Sequence, residues 1–188
     1  MEDFEPIFKE LIEVCCCFVH VTLAGIRLRR FQNDVNDAYT DAYTEAFIPV
    51  AETLVANAGR VESSDPKQAI DLYKRASVVY RVSRFPFQST PYKKKAYQAQ
   101  KDAYMRGARL WDIPMQDINI PHAHAAGKDG KEIPLYVRAP PSATAERPVP
   151  VVLLITGLDG HRPDNTQVAS PLSSFVVIAN AGTQTAHR

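Results

Sequence analysis

The chain has 188 residues, 45% of them hydrophobic and 23% charged, with a formal net charge of +1. That balance describes a folded globular protein of one large or two small domains and excludes an intrinsically disordered one. With so little net charge there is no electrostatic footprint for nucleic acid, and the local run Lys93-Lys94-Lys95 reads as a solvated helix face.

All three cysteines lie together at Cys15, Cys16 and Cys17, so their spacing draws no disulfide framework and fits a reduced, cytoplasmic setting. No further ligands stand nearby for a metal. Buried thiols on an apolar helix are the preferred reading, with palmitoylation as the alternative. The apolar stretch Val14 to Ile26 lacks a signal peptide's positive flank, being preceded by Glu2, Asp3, Glu5, Glu10 and Glu13. It is also short for a membrane span and contains His20. Neither a secretory leader nor a membrane partner is expected.

The first half of the chain is helical in pattern. Apolar residues recur from Phe4 to Phe31, with Leu11, Cys15, Phe18 and Thr22 on one side. A second helical pattern spans Val35 to Ala58, where Pro49 is expected to kink or split it and Ala58-Gly59 to end it. Within it, Asp37-Ala38-Tyr39-Thr40 is duplicated as Asp41-Ala42-Tyr43-Thr44, which predicts Tyr39 stacked on Tyr43 one helical turn apart. Two further helix starts are marked by a polar cap followed by proline, at Ser64-Asp65-Pro66 and at Thr90-Pro91. The first of these helices should run to about Arg84, stopped by Phe85-Pro86, and the second to about Trp111 with Gly107 near its end.

After Trp111 the period changes. Met115 to Pro121 alternates apolar and polar residues as a half-buried strand does. Lys128-Asp129-Gly130-Lys131 supplies a turn, and Ile133 to Val137 forms the return strand of a hairpin with Leu135 and Val137 on one face. His122 and His124 could face the same side of that hairpin, but without a third ligand they read as a structural pair. Pro140 to Pro148 is a surface loop. The run Val151-Val152-Leu153-Leu154-Ile155 is apolar on both faces, the mark of a strand central in a parallel sheet. It ends at Thr156-Gly157-Leu158-Asp159-Gly160. The expected fold is therefore α/β, with a helical N-terminal domain over residues 1–111, the start of a sheet domain over 112–164, and a tail over 165–188.

Four stretches together resemble a known family: Tyr73 to Ser77, Tyr80 to Pro86, Ile120 to His124, and Val151 to Gly160. They are similar to the fungal α/β-hydrolases that shorten polyketides in pigment synthesis (the yellowish-green hydrolases), relatives of the FrsA-like esterases. The resemblance covers roughly Asp65 to Asp164. It implies a helical cap over a hydrolase domain with a Ser-Asp-His triad and no cofactor, acting on a polyketide-like small molecule. By position it implies that the Leu158 amide donates to the oxyanion, with Gly157 giving the backbone room to turn. A tight turn without a ligand would have the same local sequence.

The rest of that machinery is absent from these residues. No Gly-x-Ser-x-Gly occurs, Ser170, Ser173 and Ser174 lack flanking glycines, and His187 stands beside the C-terminus. Ser174 to Thr183 has the look of a strand and turn, but Gly160 to Val176 leaves little room for a crossover helix. The pattern fits a truncated α/β-hydrolase: an incomplete gene model, a frameshift or a degraded paralogue. The alternative is a non-catalytic helical interaction module, acting as a homodimer or on a related partner. In either case the run Val151 to Ile155 is left as a sheet edge, which predicts self-association.

On Arg81 and Arg84 the sequence leaves a choice. With Tyr80 they could line a substrate entrance; the preferred reading is that the arginines anchor the helical part to the hydrolase part or face water.

Overall fold

A computed structural model describes residues 38–155, 160–165 and 176–180. The expectations for Phe4 to Phe31, the three cysteines, and the tail beyond residue 180 lie outside the described residues.

Three helices come first: α1 (Asp41–Val61), α2 (Pro66–Ser83) and α3 (Pro91–Arg109). Each begins where a short side chain accepts a main-chain N–H. Thr40 accepts from Tyr43, Asp65 from Gln68 and Thr90 from Lys93, and α2 and α3 have proline in the first turn. The helix α1 differs from its sequence expectation in three ways. It starts at Asp41, it continues past Pro49, and it runs beyond Gly59 to Val61. Tyr39 therefore precedes the helix and cannot stack on Tyr43. Instead it meets Phe87 edge-on at 6.2 Å, while buried Tyr43 packs against Phe47 at 5.0 Å.

Small residues let the three helices approach closely. Ala51, Leu54, Ala76, Val79, Tyr80 and Ala103 form one core cluster, and Ala58, Ala69 and Tyr73 form a second. Gly107 on α3 lies so near α2 that a Cβ there would stand 3.0 Å from the Cβ of Tyr73.

The lysine run divides. Lys94 and Lys95 are exposed as expected, but Lys93 is fully buried, with Nζ donating to the carbonyls of Ala38 and Phe85 at 2.5 Å each. Burial is tolerated because the ammonium has these acceptors and lies 5.2 Å from the Tyr43 ring centre.

Four strands follow: β1 (Gln116–Pro121), β2 (Glu132–Arg138), β3 (Val151–Ile155) and β4 (Val176–Asn180), in the sheet order β1-β2-β4-β3. β1 and β2 pair antiparallel as the predicted hairpin, β4 is antiparallel to β2, and β3 is parallel to β4. β4 thus enters between β2 and β3, and the connection to it contains a 3₁₀ turn, Arg162–Asn165, among its described residues. His122 follows β1, with Nδ1 3.1 Å from the Gly130 carbonyl oxygen.

The register puts Tyr136 and Leu154 on one face, opposite the same residue of β4. That face packs on α3 through Tyr104, Met105 and Ala108, joined by Met115 and Trp111. Tyr104 stacks on Tyr136 at 5.3 Å, an aromatic pair worth about 1 kcal/mol beyond its buried area.

Two sequence expectations for the sheet are corrected. β1 is an edge strand exposed along its length, not half-buried, because it has a neighbour only on the β2 side. β3 is the other edge, and Val151, Leu153 and Ile155 are 58%, 57% and 69% exposed. Its continuous apolar run is therefore covered on one face only.

Candidate functional site: the junction at the turn after β3

Gly157 and Leu158, the residues placed by resemblance at an oxyanion turn, lie outside the described residues. The chain is described again from Gly160, and there the sheet and the helices are tied together. Asp164 is almost fully buried and its carboxylate receives four donors. Oδ2 accepts from the His161 main-chain N–H at 2.8 Å and from Arg84 Nη2 at 3.3 Å. Oδ1 accepts from Gln100 Nε2 at 2.9 Å and pairs with Arg81 Nε at 3.3 Å. Arg84 in turn donates through Nε to Gln100 Oε1 at 2.6 Å, closing a three-residue ring around buried charge.

The local sequence explains this placement. Arg84 is the C-cap of α2, so its side chain leaves the helix where Phe85-Pro86 turns the chain away. Gln100 belongs to the buried stripe of α3, with Lys93, Ala96, Ala103 and Gly107. Arg81 and Arg84 therefore act as anchors between the helical layer and the sheet.

The same short segment is held on its other side. Arg162 Nη1 pairs with Asp117 of β1 at 2.7 Å, and its guanidinium lies 4.3 Å from the Tyr136 ring centre. His161 packs on Tyr97 at 4.5 Å, and Gln88 Nε2 stands 2.7 Å from His161 Nε2. The segment from His161 to Asp164 is thus fixed to α2 and α3 by Asp164 and His161, and to the sheet by Arg162.

A cleft of about 300 Å³ opens beside this junction, with Lys101, Arg109 and Asp117 on its walls. Burial, with the nearby Arg162 guanidinium, pushes the Lys101 ammonium below its usual range. Deeper in the same interface, the Tyr136 hydroxyl is buried without a hydrogen-bond partner, and burial raises its pKa far above the ordinary phenol value.

The junction positions rather than reacts. Asp164 has its oxygens fully engaged, so it is no general base, and none of the junction's side chains is a serine or cysteine nucleophile. Among the described residues no three His, Cys, Asp or Glu side chains gather as a metal site, and no helix is long and apolar enough to cross a membrane.

Sequence reading missed Asp164 and His161 as anchors, since a lone acid after a loop carries no pattern. Gln100 and Lys93 left a signal: both are polar residues at apolar-stripe positions.

No protein-family model and no curated protein matches the chain. Solved structures do. It is similar to 2,6-dihydroxy-pseudo-oxynicotine hydrolase with a TM-score of 0.59 and 18% identity, over 72% of this chain and 37% of that one. The fold is α/β, a helical cap on part of an α/β-hydrolase sheet. It is also similar to wild-type AbyA5, with a TM-score of 0.55 and 14% identity, over 90% of this chain and 44% of that one. The chain thus spans less than half the length of either structure.

Proposed function

We propose that this chain is the N-terminal portion of a serine α/β-hydrolase of fungal secondary metabolism, cleaving a carbon–carbon or ester bond in a polyketide-like substrate. Residues 1–111 serve as the cap domain, and Leu158 supplies one oxyanion-hole N–H, with Gly157 opening the turn. The 188 residues alone carry no nucleophile or base, so they are not catalytic by themselves. The observation that carries this reading is the helical layer fixed through Arg84 and Gln100 to Asp164, on the segment that follows the β3 turn. An oxyanion turn must be held in place before the reaction begins, and the doubly anchored segment from His161 to Asp164 begins three residues after Leu158. The fungal and polyketide parts rest on the motif resemblance from Tyr73 to Gly160.

The test is to sequence the transcript and genomic DNA downstream of the codon for Arg188. A Gly-x-Ser-x-Gly followed by aspartate and histidine supports the reading. Stop codons in all three frames, with no such motif, contradict it.

A further inference from the structure

We infer that the cleft between α3 and β1 binds a small oxyanion, a phosphate or carboxylate group held between Lys101 and Arg109. The inference rests on the fold and is independent of the hydrolase reading. One side of the cleft is α3, through Gln98, Lys101, Asp102, Met105, Arg106 and Arg109. Counted from Gln98 these fall at i, i+3, i+4, i+7, i+8 and i+11, which is one helix face over roughly three turns. Asp117 of β1 stands on the other side, and the space between is about 300 Å³. That is room for about ten water-sized groups, enough for a phosphate or a small carboxylic acid.

Some of the charges lining this cleft are already engaged. Arg106 turns Nη2 to Glu62, at the C-cap of α1, at 3.1 Å. Asp117 takes Arg162 Nη1 at 2.7 Å, and Asp102 accepts from Gln98 Nε2 at 2.9 Å. Among the described residues, Lys101 and Arg109 form no ion pair. They stand eight positions apart, about 12 Å along the axis of α3. Both side chains are long and flexible enough to converge on an anion between them.

Lys101 is the member that gains most from such a ligand. It is half-buried, with its ammonium 5.0 Å from the Tyr97 ring centre. Burial, then the Arg162 guanidinium, holds it below its ordinary range, against the opposing pull of Asp102 and Asp117. An anion arriving beside it favours the charged form. Arg109 is exposed and supplies a planar fork that matches a carboxylate or phosphate. In a chain of net charge +1 this pair is a local excess, not part of a generally basic surface. The cleft also lies at the β1 end of the sheet, whereas strands joining beyond β3 would add at the other end.

The experiment titrates the 188-residue protein with sodium phosphate and, separately, with sodium succinate, each against sodium chloride of equal ionic strength. Lysine side-chain NMR resonances are the readout. A saturable shift at Lys101, with a dissociation constant on the order of 1 mM, is expected for at least one of the two anions. A response to phosphate alone or to succinate alone supports the site and assigns the anion. Arg109→Gln should raise that constant about tenfold or more. Lys94→Gln removes the same charge from an exposed position at the other end of α3 and should leave it within about twofold. Should Arg109→Gln fail to fold, the Lys101 resonances of the parent protein decide. Shifts that do not saturate, or that chloride reproduces, overturn the proposal. So does unchanged affinity in Arg109→Gln, which would leave Arg109 only as a complement to the carbonyls at the C-terminus of α3.

Discussion

Arg84 and Asp164, 80 residues apart in the chain, meet at 3.3 Å with both side chains almost fully buried. Around them Gln100 bonds to both partners, so the helices and the 3₁₀ turn at Arg162–Asn165 share one buried polar cluster. Removing one partner leaves an uncompensated charge. Asp164→Ala should destabilise the protein by about 3 kcal/mol and lower Tm by roughly 10 °C. Arg81, more than half exposed, pairs with the same carboxylate through water-screened space, and Arg81→Ala should change stability by less than about 0.5 kcal/mol. Thermal unfolding of both variants checks the contrast.

Two glycines in helices should respond oppositely to alanine. At Gly59 a Cβ meets only Arg106 Nη2 at 3.4 Å and the Tyr73 hydroxyl at 3.8 Å, both ends of flexible side chains. Gly59→Ala should stabilise by up to about 1 kcal/mol through helix propensity. At Gly107 the Tyr73 Cβ at 3.0 Å cannot swing aside, so α2 and α3 must part. Gly107→Ala should destabilise by about 1 kcal/mol despite the same propensity gain. Urea titrations of the two variants would show the signs.

Tyr136 has a hydroxyl with no partner and a ring that Tyr104 and Arg162 already hold. Tyr136→Phe keeps both ring contacts and removes a buried polar group without a bond. It should raise stability by about 1 kcal/mol, read from the shift of the denaturation midpoint. A loss of similar size would mean that the hydroxyl is satisfied in solution.

Stability should fall at high pH through Tyr73. Burial, with its 2.5 Å hydrogen bond to Glu62, raises the Tyr73 phenol to about 12, from 10 when unfolded. A group raised by folding contributes fully below pH 10, and that contribution is lost as pH climbs through about 12. Glu62 moves the other way, lowered chiefly by the Tyr73 hydrogen bond, so its contribution is present above about 4.5 and lost in acid. Tyr73→Phe should lessen the alkaline fall, with some remaining because burial also raises Tyr80 and, further, Tyr136. Denaturation at a series of pH values between 10 and 12 tests this.

What the sequence made legible was local. Asp65-Pro66 and Thr90-Pro91 mark helix starts because a cap and a fixed φ act within one turn. Val151 to Ile155 is delimited by its own composition. What it hid depended on partners far along the chain. In the run Lys93-Lys94-Lys95 only helical register with Ala96 and Ala103 singles out the first member, and the carbonyls of Ala38 and Phe85 that make its burial tolerable leave no mark there. Tyr39 and Tyr43 have identical neighbours, yet Thr40 caps the helix between them and sends them to different contacts. Pro49 suggested a break, but the packing of Ala51 and Leu54 against α2 carries α1 through it. The site was less legible than the fold, since its anchor Asp164 is recognisable only once Arg84 is seen beside it.

As proposed, this chain carries part of an α/β-hydrolase frame and no activated serine. Intact-mass measurement after exposure of the purified 188-residue protein to a fluorophosphonate probe tests it most directly. No adduct and no turnover of acyl esters or β-diketones above background are expected. Stoichiometric modification of one serine, abolished by denaturing the protein first, would contradict it and identify an activated nucleophile.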